Sequence, residues 1–92
     1  MNTLMACAEL GARLFQARRQ LGVGLIKLGK LSGVSHTTIS DIEKGRRMPA
    51  VDTVERLARA LHVRPEWLAY GVGWVGEPVG QEPERSEAVG GQ

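Results

Sequence analysis

Residues 25–44 read LIKLGKLSGVSHTTISDIEK, and this stretch decides how the rest of the chain is read. Apolar residues recur at helical spacing on both sides of Ser32-Gly33-Val34, so the spacing predicts two short helices joined by a tight turn. Helix 2 is expected over about Leu25 to Leu31. Its local signals are thin: Gly24 is an acceptable N-cap, and Gly29 costs about 1 kcal/mol relative to Ala inside a helix. A glycine kept there implies that another backbone comes close. Gly33 supplies the turn, because it takes a positive φ at no steric cost. Helix 3 opens with Ser35, a preferred N-cap, buries Ile39 and Ile42, and stops at Gly45. Its other face carries His36, Thr37, Ser40 and Asp41.

The flanking sequence supplies a frame for this pair. Residues 1–8 (MNTLMACA) show no cap signal and read as a flexible lead-in. Helix 1 is expected from about Glu9 to Leu21, with Leu10, Leu14, Ala17 and Leu21 on one buried stripe and Gly22 as its stop. Phe15 falls off that stripe. Helix 4 is expected from about Asp52 to Leu61, with Asp52-Thr53-Val54-Glu55 in the form of a capping box and Val54, Leu57, Ala58 and Leu61 facing inward. Helix 5 opens at Pro65, suited to the first helical position, and ends at Gly71. Five short helices and no strand-length alternation define an all-α domain over residues 9–74. The segment 75–92, GEPVGQEPERSEAVGGQ after Val75, is rich in Gly, Pro, Glu and Gln and is expected to be a disordered acidic tail.

Charge is divided along the chain. Residues 1–74 carry 11 Lys and Arg against 6 Asp and Glu, and residues 75–92 carry one against four. A basic body with an acidic tail suits a polyanionic partner. The lone cysteine, Cys7, forms no internal disulfide, so nothing in the chain depends on an oxidising compartment. With no secretory signal pattern and no apolar run of about 18 residues, a soluble cytoplasmic protein with no membrane partner is the expectation.

Several activities lack their residues. His36, His62 and Cys7 do not make a zinc set, Gly22-Val23-Gly24 follows no strand and does not extend to a dinucleotide fingerprint, and no P-loop pattern occurs. No enzyme, metal or cofactor is expected. The turn geometry offers a different use. Gly29 lets the two helices cross closely, Val34 and Ile39 fill the angle, and the N-terminal half of helix 3 is left proud of the body. A DNA major groove is wide enough to admit such a helix, and phosphates favour helix N-termini.

The segments LGARLFQARRQLG, GVSHTTISDIEKGRRMP, DTVERLARAL and EWL, spread over Leu10 to Gly71, resemble the lambda-repressor/Cro-like (Xre-type) helix-turn-helix family. The resemblance implies a compact five-helix DNA-binding domain whose third helix enters the major groove. It further implies a sequence-specific transcription regulator of double-stranded DNA, a repressor acting as a homodimer on a near-palindromic operator. By position, it implies base contacts from His36, Thr37, Ser40 and Asp41, and backbone contacts from Ser35, Thr38, Lys44, Arg46 and Arg47. Arg18 and Glu43 match a structural ion pair tying helix 1 to helix 3. Trp67, Leu68, Val72 and Trp74 match a dimer contact. Gly24 and Leu25 depart from the family pattern, which often has Ser then a phosphate-binding Gln. Leu25, Ile26 and Leu31 therefore give helix 2 an apolar surface suited to a protein partner. That surface keeps two other readings open: an antitoxin-like or restriction-controller-like regulator, and an interaction adaptor that has lost DNA binding.

Overall fold

The structure, a computed structural model, describes residues 3–72, with side chains from Ala6 onward. The described residues form five helices and no strand: α1 (Thr3–Leu21), α2 (Leu25–Ser32), α3 (His36–Glu43), α4 (Val51–Leu61) and α5 (Pro65–Tyr70). The expected acidic tail and Trp74 lie outside the described residues.

One core joins all five helices. Leu14, Leu28, Ile39, Ile42, Leu57 and Leu68 are its fully buried large side chains. α1 packs against α3, α4 and α5, while α2 packs against α3 and α4. Helix ends are set by residues that tolerate a left-handed backbone. Gly22, Gly33, Gly45 and Gly71 all have φ near +75 to +80°. The end of α4 is the exception: His62 holds φ +62°, and its N–H and that of Val63 close the last turn onto Arg59 and Ala58 carbonyls.

Three expectations are corrected here. α1 begins at Thr3 rather than Glu9, so residues 3–8 are helix and not lead-in. The physical reason is Cys7, three residues before Leu10, which extends the buried stripe and is only 7% exposed. At the other end of α1 Leu21 is substantially exposed. α4 begins at Val51 with Ala50 as N-cap and no side-chain cap bond, so Asp52 is not a capping residue. Already helical, it sits in the first turn, where its charge favours the helix dipole and lies 3.7 Å from Arg56 one turn on.

α5 is short and is held at both ends. Pro65 occupies its first turn. At its C-terminus, Arg13 of α1 donates from Nε to the Leu68 carbonyl at 3.0 Å and from Nη2 to the Ala69 carbonyl at 2.9 Å. A cation here meets the negative end of the helix. Burial pulls the Arg13 guanidinium below its ordinary pKa, and the negative charge of Glu9 opposes that shift.

Candidate nucleic-acid interface

The exposed face of α3 is presented by a frame of three close contacts. The first is the turn itself. Gly33 takes φ +76° and returns its N–H to the Gly29 carbonyl at 2.8 Å. A Cβ on Gly29 would stand 2.9 Å from the Val34 carbonyl oxygen, so the backbone approach implied by a glycine there is present. Ser32, buried in the same turn, donates to the Leu28 carbonyl and accepts from the Val34 N–H. The sequence reading passed over this serine, because a turn Ser gives no signal distinguishing it from a solvated one.

The second contact joins α1 to the C-terminal end of α3. A Cβ on Gly11 would stand 2.3 Å from the Ile42 carbonyl oxygen and 2.7 Å from that of Glu43. Gly11 lies inside a helix, where glycine is unfavourable by about 1 kcal/mol. That mismatch was the available signal for a contact the sequence reading missed. The third is a bidentate ion pair. Arg18 donates from Nε to Glu43 Oε2 at 2.6 Å and from Nη2 to Oε1 at 3.1 Å, while Nη1 reaches the Val23 carbonyl at 3.1 Å. The side chains are 12% and 9% exposed. Phe15 lies exposed beside this pair, with the Arg18 and Arg19 guanidinium carbons 5.4 and 5.6 Å from its ring centre.

Ser35 caps α3: its Oγ accepts from the Thr38 N–H at 3.2 Å. It also donates to Thr38 Oγ1 at 3.1 Å, which uses its one proton. Thr37 Oγ1, 2.9 Å from Ser35 Oγ, is then the donor in that contact. The three hydroxyls fix one another, and the N–H groups of His36 and Thr37 are left without intrahelical acceptors at the exposed helix start. His36 and Thr37 are exposed, and Thr38, Ser40 and Asp41 are half-buried. Beyond the helix Lys44, Arg46 and Arg47 are exposed. Arg46 Nη1 lies 3.9 Å from Asp41 Oδ1, joining the last turn of α3 to the loop.

The other expected surfaces separate. Leu25 is half-buried and packs on the core, whereas Ile26 and Leu31 are exposed at 60% and 52%. Leu25 therefore drops out of the partner surface. Trp67 and Leu68 are 6% and 0% exposed within one chain, so they are core and not dimer contacts: α5 needs them to close over α1 and α4. Val72 is exposed, and Trp74 lies outside the described residues. Tyr70, Met48 and Val51 are also exposed, and together they border an apolar groove of about 490 Å³. Among the described residues no His, Cys, Asp and Glu cluster is placed to hold a metal ion, and no helix is long and apolar enough to cross a membrane.

Comparison with known proteins follows the same geometry. The HTH_3 helix-turn-helix family matches residues 14–68. The HTH-type transcriptional repressor RghR of Bacillus subtilis is 37% identical over 70 residues, 75% of this chain and 52% of its own. The HTH-type transcriptional regulator PuuR of Escherichia coli is 37% identical over 49 residues, 53% of this chain and 26% of its own. The matched stretch is thus about a quarter to a half of these relatives' length. Among solved structures, the P22 c2 repressor in complex with a synthetic operator superposes with a TM-score of 0.64 at 32% identity, covering 67% of this chain and 94% of that one. The restriction-modification controller protein C.AhdI of Aeromonas hydrophila gives 0.65 at 29% identity, with the same coverage. On its sequence match, its five helices and its turn geometry, the chain belongs to the HTH_3 family of lambda-repressor-like helix-turn-helix proteins.

Proposed function

We propose that this chain is a sequence-specific transcription regulator, acting as a repressor by occupying a near-palindromic operator as a homodimer. Its family is one of DNA-binding transcription regulators, not of enzymes. The observation that carries the reading is the rigidly framed α3, whose exposed N-terminal half presents His36, Thr37 and two open N–H groups. His36 and Thr37 are assigned to base edges, with Ser40 and Asp41 further along the groove. Ser35, Thr38, Lys44, Arg46 and Arg47 are assigned to the phosphates on either side. The Asp41–Arg46 contact gives Asp41 a second use, holding the Arg46 guanidinium back against α3 until a phosphate competes for it. The apolar groove bordered by Met48, Val51 and Tyr70, with Val72 beyond it, is the surface assigned to a second copy. A two-fold pair is the usual form for such a patch.

A second reading has one observation in its favour. The fold matches nearly the whole length of C.AhdI, a restriction-modification controller. A controller-like regulator uses the same α3 and differs in the gene it governs.

Selection from a random duplex library, followed by gel shift and sedimentation of the complex, tests the proposal. The expected outcome is an enriched near-palindrome whose half-sites lie about one helical turn, ~34 Å, apart, bound by two chains. Failure to enrich any sequence at low salt refutes DNA recognition. An asymmetric single site bound by one chain refutes the dimer.

A further inference from the structure

A groove of about 450 Å³ lies between α1, α2 and α4, away from the DNA-facing half of α3. Its two walls differ in kind. Leu21, Val23 and Leu31, from α1, the following loop and α2, make one wall apolar, and Leu21 and Leu31 are largely exposed. The other wall, from α4, carries Arg56, Arg59 and His62. Arg56 has only the exposed contact to Asp52, and Arg59 makes no ion pair among the described residues. The left-handed backbone of the described chain is otherwise left to glycine, yet here it carries an imidazole. The cap of α4 therefore puts an imidazole on the groove wall, where a glycine would put nothing.

We propose that this groove seats the chain's own acidic segment, residues 77–89. The chemistry matches on both walls. Glu77, Glu82, Glu84 and Glu87 stand against a single Arg85, with Val79, Ala88 and Val89 among them. Carboxylates meet Arg56, Arg59 and the His62 imidazole, and the valines meet Leu21 and Leu31. The geometry permits it. The α5 C-terminus is tied to Arg13, and Leu21 is eight residues further along α1, about 12 Å away. The 20 residues from 73 to 92 extend to roughly 66 Å. Tethering keeps the local concentration of the segment in about the millimolar range, so weak contacts suffice. The DNA-facing basic loop fits the segment less well: Asp41 stands beside Arg46, and the apolar groove next to Lys44, Arg46 and Arg47, bordered by Met48 and Val51, also carries Glu55 and Glu66, which repel an acidic segment. The inference does not depend on the DNA-binding reading.

The test uses the full chain with Cys7→Ala and Ser86→Cys, carrying a nitroxide at position 86. The expected result is line broadening of the Val23, Leu31, Arg59 and His62 amides, reversed when the nitroxide is reduced. At about 1 M salt, where the Debye length is about 3 Å, the broadening is expected to fade. Arg59→Glu and His62→Gly are each expected to diminish it. Broadening centred on His36 to Asp41 and Arg46 places the segment on the DNA face and overturns the proposal. Broadening that passes from nitroxide-labelled chains to isotope-labelled chains without nitroxide assigns the groove to a second copy and overturns it too. So does an absence of broadening, or broadening undiminished by both variants.

Discussion

Among the described glycines Gly11 leaves the least room for a side chain, and replacing it with alanine gives a sharp prediction. A Cβ at Gly11 would stand 2.3 Å from the Ile42 carbonyl oxygen, and real Cβ contacts essentially never fall under 3.0 Å. The obstacle is backbone, so no side chain can swing aside; α3 must retreat from α1. Overpacking of this kind costs about 1–3 kcal/mol and occasionally more. Alanine recovers about 1 kcal/mol of helix propensity, and the rigid carbonyl argues for the upper part of the range. The expected net loss is about 2 kcal/mol. For a domain of this size that lowers the thermal midpoint by roughly 8–16 °C, read by circular dichroism. Gly24→Ala is the control, because nothing lies within 4 Å of its Cβ position. Its midpoint should fall by no more than about half as much, since losing a glycine N-cap to alanine costs about 1 kcal/mol or less and no backbone clash is added. A Gly11→Ala chain that melts at or above the wild-type temperature refutes the close α1–α3 contact. The retreat also shifts α3, so on the proposed function operator affinity should fall even at temperatures where the variant is fully folded.

Three further outcomes are expected. His36→Ala and Thr37→Ala should each weaken operator binding by about 1–3 kcal/mol at most with little change in unfolding midpoint; wild-type affinity in both variants removes them from the interface. Arg46→Ala should weaken binding to specific and random duplexes alike and reduce the salt slope by about one, measured by fluorescence anisotropy across a salt series; a loss confined to the specific site argues for a base contact instead. Arg18→Met should destabilise the chain by about 3 kcal/mol in denaturant titration, because it strands the Glu43 carboxylate. The double variant Arg18→Met with Glu43→Leu should recover much of that loss, and equal losses in the single and double variants contradict the pairing.

Most of the frame was legible because its signals are local. Gly29, Gly33 and Ser35 each announce themselves through a backbone requirement confined to a few residues, and the structure places them in those roles. The Arg18–Glu43 pair spans 25 residues and was reached only through family resemblance, since nothing in either segment names the other. The start of α1 was missed because an uncapped helix leaves no boundary mark, and Cys7 was read as part of a frayed end instead of as a core residue. Asp52 was misread for the converse reason: a capping pattern was present, but the extended backbone falls two residues earlier, at Ala50. Trp67 and Leu68 show a further limit. Periodicity reports that a residue is buried, but not whether its own chain or a second copy buries it.

The contacts that hold α3 and the groups it presents occupy different parts of the helix. Gly11 meets the carbonyls of Ile42 and Glu43, and Arg18 meets the Glu43 side chain, all at the C-terminal end. Ile39 and Ile42 bury the inner face. At the N-terminal end, Gly29 meets the Val34 and His36 backbone, and Ser35 ties down Thr37 and Thr38. His36 and Thr37 contribute almost nothing to the core. On the proposed assignment, recognition and stability are therefore separable in this chain: the outward residues are free to change while the frame keeps its pose. Asp41 and Arg46 are the point where that separation is weakest, because the proposed base contact and the proposed phosphate contact lie 3.9 Å apart. Changing Asp41 to alter base preference should also release Arg46, raising affinity for all sequences as it changes the favoured one.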